Sequence, residues 1–384
     1  MDNLFFTDEH IMIRDMVREF ADTEITPVAR ELDEQGEFPI SLVNKMGELG
    51  LMGILIPEEY GGSGLDMVAF ATAIIELARA DASVAITMAA HTSLGSLPIL
   101  MFGSEEQKNT YLPKLATGEM LGAFGLTEPD AGSDAGATKT KAVRDGDEYV
   151  VNGGKIFITN AGKAGVLSFT SQVIENGKNL GIAAFSISTN TPGLDIGPKE
   201  KKMGWHASDT RQLFFKDMRI KTSSMLGTPT NGFKTFLKTL TSGRVSIGAL
   251  SIGTALGAYE RALAYSTERI AFGKPINNFQ SVGFKLADMA TKIEASKLLV
   301  FHAAWMKDQG LDITKEAAMA KLFASETAME VTTEAIQIHG GYGYVKEYDV
   351  ERFFRDAKIL EIGEGTSEIQ RLIISREILK EIQI

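Results

Sequence analysis

Tyr149-Val150-Val151-Asn152-Gly153-Gly154-Lys155-Ile156-Phe157-Ile158-Thr159 stands in the middle of a 384-residue chain and differs in kind from what flanks it. β-branched and aromatic residues crowd around Asn152-Gly153, a hairpin-type pair, and Asp145-Gly146 gives the same signal a few residues earlier. Leu213-Phe214-Phe215 continues the pattern, and no helical period intervenes between about Leu121 and Gly227. The region reads as a small antiparallel barrel or sandwich, against a parallel βαβ sheet. Gly153-Gly154-Lys155 runs into Ile156, which is not a phosphate-binding P-loop, and no Gly-x-Gly-x-x-Gly opens a helix after a strand. A nucleotide cofactor must therefore be held in another way.

Outward from this region the period becomes helical on both sides. Toward the N-terminus, Ile13, Met16, Val17 and Phe20 lie on one helical face. Gly50 stands where a C-cap closes the helix carrying Leu42, Met46 and Leu49. Tyr60-Gly61-Gly62-Ser63-Gly64 marks a turn before a helix from about Asp66, and Ser104-Glu105-Glu106-Gln107 is a capping box. Toward the C-terminus, Val282, Leu286, Met289 and Ile293 alternate four and three apart, the seam of an antiparallel bundle. Gly253 and Gly257, four apart, predict close helix packing. The expected class is α+β and multidomain: an N-terminal helical domain over 1–120, a middle β domain over 121–228 and a C-terminal four-helix-bundle domain over 229–384.

Composition bounds the function. A formal net charge of -11 argues against a nucleic-acid binder, whose footprint is basic. With no cysteine there is no disulfide, thiolate nucleophile or iron–sulfur cluster, and His10, His91, His206, His302 and His339 are too scattered for a metal pair. No metal is expected. The uncharged run from Ser83 to Gly103 is long enough to span a bilayer. It carries Thr87, His91, Thr92, Ser93, Ser96 and Pro98 and reads better as a buried core helix, so no membrane insertion is expected. Met1-Asp2-Asn3-Leu4 has neither a basic n-region nor Arg-rich transit character. This predicts a cytoplasmic protein; a mature mitochondrial matrix chain would read the same way.

The sharpest chemical signal lies near the C-terminus: Glu361-Ile362-Gly363-Glu364-Gly365-Thr366-Ser367-Glu368-Ile369-Gln370-Arg371. Ile369, Leu372, Ile373 and Leu379 recur at helical spacing, which starts a helix close to Gly365 or Thr366 and leaves Glu364 on the turn before it. Two glycines give that carboxylate backbone freedom and room for a ligand. From the residues alone two readings stand: a solvated acid before an N-cap, or a carboxylate presented to a bound molecule.

Taken in order, Phe124-Gly125-Leu126-Thr127-Glu128-Pro129-Asp130-Ala131-Gly132-Ser133-Asp134, Phe157-Ile158-Thr159-Asn160, Arg269-Ile270-Ala271-Phe272-Gly273, Phe279-Gln280, Gln337-Ile338-His339-Gly340-Gly341 and the Glu364 stretch resemble the acyl-CoA dehydrogenase family, most closely its short-chain (butyryl-CoA) members. The resemblance runs from the Tyr60 turn to Arg376 and implies the same three-part fold. It assigns Phe124, Leu126, Thr127, Gly132, Ser133, Phe157, Ile158 and Thr159 to FAD, with Thr127 and Thr159 on the isoalloxazine. Arg269, Phe272, Gln280, Gln337, Ile338, His339, Gly340 and Gly341 match positions that reach the FAD of a neighbouring subunit, and Thr366, Ser367 and Glu368 meet the cofactor at a helix N-terminus. Ser133, Thr241, Ser242, Gly243, Arg244 and Gly365 match substrate contacts.

The resemblance also implies the reaction. Glu364 matches the base that takes the α-proton of an acyl-CoA while flavin N5 accepts the β-hydride, giving a trans-2-enoyl-CoA, with the thioester oxygen held in an oxyanion-hole arrangement. The free pKa of Glu364, about 4.3, should rise when substrate excludes water. Electrons pass to an electron-transfer flavoprotein, and the enzymes are tetramers that serve fatty-acid β-oxidation. Other branches of the family place the base near Gly243, where this chain has glycine. Gly363 replaces the usual tyrosine and Thr241 the usual aspartate, while Thr87, Ala90 and Leu94 should line the acyl tail. Straight butyryl-like substrates lead, with branched or cyclic short acyl groups next, and then a flavin oxidase or monooxygenase of the same fold.

Overall fold

The computed structural model describes residues 2–228 and 232–382. The first region contains α1 (Asp8–Phe20), α2 (Ile40–Glu48), α3 (Met67–Ala80), α4 (Ala82–Ala90) and α5 (Glu105–Ala116). α1 buries Ile13, Val17 and Phe20 on the expected face, with Met16 packed at its border. Gly50, at φ +75°, ends α2: its N–H donates to Gly47 O, and Leu51 N–H donates back to Met46 O. Ser104 and Gln107 form the expected capping box on α5.

The uncharged run is a core element, and 83% of its apolar window is buried inside the protein. It is not one regular helix, because α4 passes into a π-helical segment, His91–Ser96, and then a short helix, Leu97–Phe102. Buried His91 holds that segment. Its Nδ1 accepts from Gly122 N–H at 3.1 Å and its Nε2 donates to Leu115 O at 3.0 Å. Burial pushes its pKa down to about 4, so the ring is neutral.

The middle region is one eight-stranded sheet of β1 (Leu121–Gly125), β2 (Lys141–Asp145), β3 (Glu148–Thr159), β4 (Ala164–Glu175), β5 (Lys178–Ser188), β6 (Leu194–Lys199), β7 (Thr210–Lys221) and β8 (Met225–Leu226). The order is β6-β7-β3-β2-β4-β5-β8, with β1 on β4. Most ladders are antiparallel, but β1 and β2 both run parallel to β4, so the purely antiparallel reading is corrected to a mixed sheet. β4 is long enough to take the two in succession, β1 along 164–169 and β2 along 172–174. No crossover helix is needed, which is why no helical pattern marks the pairing. β3 is bulged against β7 between Lys155 and Ile158, and there Phe157 adopts φ +61° with 63% of its surface exposed. A bulge of this kind re-aims a side chain out of the ladder.

The third region holds α6 (Gly232–Glu268), α7 (Gln280–Asp308), α8 (Thr314–His339), α9 (Val350–Ala357) and α10 (Ser367–Ile382). The boundary expected at 228/229 abuts residues 229–231, which lie outside the described residues. Leu286, Met289 and Ile293 are buried in the seam of α7, with Val282 at its edge. Gly253 and Gly257 let α6 lie against α3: a Cβ there would stand 2.4 Å from Ile75 O and 2.4 Å from Arg79 O. Helices of the first and third regions share one hydrophobic core, and the sheet has its own. That shared core brings the start of α6 and the turn before α10 together.

Candidate active site

α10 begins at Ser367, with Thr366 Oγ1 accepting Ile369 N–H at 3.4 Å, so Glu364 sits on the preceding turn as expected. It adopts φ +53°, a left-handed conformation that disfavours a side chain bearing a Cβ. The turn is held from two sides. Gln370 Nε2 donates to Gly365 O at 2.8 Å and to Glu364 O at 3.3 Å, and Lys321 Nζ donates to Gly365 O at 2.8 Å. The effect is to aim the carboxyl at α6: a Cβ on Gly243 would stand only 2.0 Å from Glu364 Oε2 and 3.4 Å from Leu94 Cδ2.

That oxygen is enclosed and has no hydrogen-bond partner. Burial pushes the Glu364 pKa up to about 7, against the opposing pull of Lys321 and then Arg244. The rise expected on substrate binding is thus already present in the free protein, because α6 and Leu94 cover the carboxyl. Its two neighbours in sequence are not rivals. Glu361 pairs with Lys358 at 2.6 Å, and Glu368 is exposed on the first turn of α10.

On α6, the structure places Gly243 against this carboxyl and Arg244 within reach of its charge, with Thr241 and Ser242 on the same turn of the helix. Arg244 is 6% exposed, and its Nη1 donates to Thr241 Oγ1 at 3.4 Å. Nine buried side-chain atoms lack a partner among the described residues, and five fall here: Ser242 Oγ, Arg244 Nε, Glu364 Oε2, Ser367 Oγ and Gln370 Oε1. Buried polar groups are otherwise almost always satisfied, so this clustering marks a place built for a polar ligand. Thr87 and Ala90 are buried on α4, and Leu94 lies on the π-helical segment that His91 fixes.

The two loops at the sheet's end are brought together. Thr127 O accepts Ile156 N–H at 2.9 Å, which sets the 124–133 stretch beside the β3 bulge. Beneath them lies an ion pair that the sequence did not single out. Lys155, 0% exposed, donates to Glu128 Oε1 at 2.7 Å, Leu126 O at 3.1 Å, Thr170 Oγ1 at 3.1 Å and Thr138 Oγ1 at 3.2 Å. Glu128 also accepts Lys139 N–H at 2.6 Å and Thr140 N–H at 3.2 Å. The only sequence signal was Gly153-Gly154-Lys155, read there for what it is not. Gly132 and Ser133 stand exposed on the loop, Thr127 and Thr159 are half-buried, and Phe124 stacks on Phe236 of α6 at 4.1 Å. Ile158 turns its side chain into the sheet core and leaves only its backbone for a ligand.

Arg269, Phe272, Gln280 and the 337–341 stretch do not join this group within the chain. Tyr265, Arg269, Ile276, Ile338, His339, Gly340, Gly341, Tyr342 and Val345 line a separate cavity of ≈ 480 Å³. His339 stacks on Tyr265 at 4.3 Å and donates from Nδ1 to Ala335 O, while Ile338 is buried. Phe272, 96% exposed, caps the tip of the Ile270–Pro275 hairpin, and Gln280 is exposed at the start of α7.

Comparison with known proteins adds to this geometry. Models of the N-terminal, middle and C-terminal domains of acyl-CoA dehydrogenases match residues 7–119, 123–218 and 230–379. The chain is 53% identical over 380 residues to the "Probable acyl-CoA dehydrogenase YngJ" of Bacillus subtilis, spanning 98% of this chain and 100% of that one. It is 47% identical over 374 residues to the short-chain specific acyl-CoA dehydrogenase of Clostridium acetobutylicum, covering 97% and 99%. The structure of butyryl-CoA dehydrogenase from Megasphaera elsdenii superposes with a TM-score of 0.94 at 43% identity, covering 97% and 98%.

Proposed function

The chain belongs to the acyl-CoA dehydrogenase family, and from that premise we propose that it is an FAD-dependent enzyme that dehydrogenates short-chain acyl-CoA thioesters to trans-2-enoyl-CoA. One observation carries the assignment of the base: the Glu364 carboxyl, poised near neutral pKa with its Oε2 enclosed and unpartnered over Gly243. A base works best with a pKa near the working pH, and here burial supplies it. When bound, FAD supplies the acceptor of the β-hydride at its N5.

The residues present fit such a cofactor. Phe157 is turned out of the sheet at the β3 bulge, next to the loop of Leu126 and Thr127 on which Gly132 and Ser133 stand exposed. The α10 N-terminus at Thr366 to Glu368, where buried Ser367 Oγ has no partner, suits phosphate oxygens. Thr241 to Arg244, Ser133 and Gly365 hold the thioester and its CoA. Arg244, buried and cationic, orients this end of the substrate, and the backbone N–H of Glu364 is the donor suited to the thioester oxygen. Leu94 and the α4 face exclude water from the acyl chain. Glu364 takes the α-proton. The separate Arg269–Gly341 cavity supports a site completed across subunits. The proposal includes a homotetramer, a cytoplasmic location and an electron-transfer flavoprotein as electron acceptor.

The purified protein is expected to be yellow. Denaturation should release FAD, identified by chromatography, and Arg269→Ala should retain it less well. FMN, or no flavin after supplementation, contradicts the reading.

Gly363 favours a wider pocket than a butyryl-specific enzyme needs. A Cβ there meets nothing closer than Ile359 O at 3.4 Å, so the backbone at 363 accepts a side chain without a close contact at its first atom. Pocket shape discriminates by ~1–3 kcal/mol per methylene. Gly363→Tyr should therefore penalise 2-methyl-branched or cyclic thioesters more than butyryl-CoA in kcat/KM. Equal losses on both would show that Gly363 does not set the pocket.

A further inference from the structure

Lys321 has no part in the chemistry described so far, yet it lies 0% exposed on α8. On the stretch of α8 that carries it, Ala317, Ala318, Ala320, Ala324 and Ser325 are also out of solvent. An ammonium taken out of water costs several kcal/mol unless something offsets it, so a buried lysine needs a reason. The hydrogen bond its Nζ makes is to the carbonyl of Gly365, the residue that follows Glu364. Gln370 donates to the same oxygen, which the turn would not need for hydrogen bonding alone. The second donor brings a positive charge that the amide does not.

We propose that Lys321 is a positioning residue for the base: its ammonium clamps the Gly365 carbonyl so that the Glu364 carboxyl stays over Gly243, and its charge keeps that carboxyl ionised in a site that otherwise favours the acid. The inference rests on the reading of Glu364 as base and adds the group that sets its state. Glu364 feels Lys321 from α8 and Arg244 from α6; Lys321 feels Glu364, Glu361, Arg244 and Glu326, and Glu368 on the first turn of α10 feels Lys321 in turn. Of the two cations on Glu364, Lys321 exerts the larger pull downward, against burial. Lys321, brought down to about 8 by burial, is still mostly protonated at neutral pH.

The sign follows. Removing the cation raises the Glu364 pKa, and a base acts only when ionised, so activity should fail at a higher pH than in the parent. The test compares three variants of the FAD-loaded protein. Lys321→Met removes donor and charge, Lys321→Gln keeps a donor without the charge, and Gln370→Leu removes the other donor and no charge. In both Lys321 variants the acid limb of the kcat/KM profile should move up by ~1 pH unit, with kcat lower by ~10–100-fold in Lys321→Met. Gln370→Leu should slow turnover with its limb unmoved. Should Lys321→Met fail to fold, Lys321→Gln carries the test.

A readout without turnover separates this inference from the one beneath it. The infrared carbonyl band of the protonated Glu364 carboxyl, identified by its loss in Glu364→Gln, should titrate at higher pH in Lys321→Gln than in the parent. An unmoved band in folded Lys321→Gln overturns the role of Lys321, whatever Glu364 does. A moved band with Glu364→Gln still active would instead overturn the assignment of the base.

Discussion

Glu364→Gln is expected to give a folded, FAD-containing protein that binds acyl-CoA and has lost its turnover. Glutamine keeps the size of the side chain, and the turn that carries it is held through backbone carbonyls by Gln370 and Lys321, not through the carboxyl. Oε2 has no hydrogen bond to lose, so no loss of thermal stability is expected. Removing a general base costs ~10²–10⁴ in rate, and more is expected here because proton and hydride leave together. The pH profile carries the same signature. With Glu364 near 7, kcat/KM of the parent should fall as pH drops through about 7, since the acid form cannot take a proton. The residual activity of Glu364→Gln should lack that limb. Glu364→Gly combined with Gly243→Glu should recover part of the activity, because the Cβ direction at 243 meets the present position of Oε2.

Lys155→Met should destabilise the protein by about 3–5 kcal/mol, since it strands a buried carboxylate. Glu128 is 5% exposed. Burial tends to raise its pKa, but Lys155, Thr138 and the Lys139 N–H overcome that and hold it down to about 2. In the parent this depressed pKa contributes stability that is present above the unfolded value of about 4.3 and is lost as pH falls toward 2. Without Lys155, burial dominates, the folded pKa lies above the unfolded one, and the penalty appears as pH rises. The gap in denaturation midpoint between parent and variant should therefore be largest near neutrality and narrow on acidification. The variant should also lose FAD more readily, because Lys155 fixes Leu126 O in the loop that carries Thr127 and Ser133. A gap that is small or independent of pH would show that the pair does not organise this loop.

Much of this was legible locally. Asp145-Gly146 marked the β2–β3 hairpin and caps such as Ser104–Gln107 gave helix starts, whereas Asn152-Gly153, read as a second hairpin pair, lies inside continuous β3 at a bulge against β7. Strand partners were not legible, because the parallel seating of β1 and β2 on β4 is a choice between distant segments and leaves no period in either. The apolar spacing of Ile369, Leu372, Ile373 and Leu379 correctly gave a helix. Leu372 and Leu379 are nonetheless 43% and 55% exposed, since spacing does not say what covers a face. Glycines around Glu364 pointed to a carboxylate with room beside it. Its near-neutral pKa did not show, because it comes from residues over a hundred positions away on α6 and more than two hundred away at Leu94. Lys321 was hidden for a related reason: a lysine on a helix reads as surface until the turn it serves is seen packed against it.

The most direct measurement of the central claim follows the proton itself. Butyryl-CoA labelled with deuterium at the α-carbon is mixed anaerobically with FAD-loaded protein, and release of the label to water is followed through a single turnover. The parent should release the label as the enoyl product forms, and Glu364→Gln should retain it in intact thioester over the same interval. Release by Glu364→Gln within a few-fold of the parent rate would place the base elsewhere and contradict the mechanism.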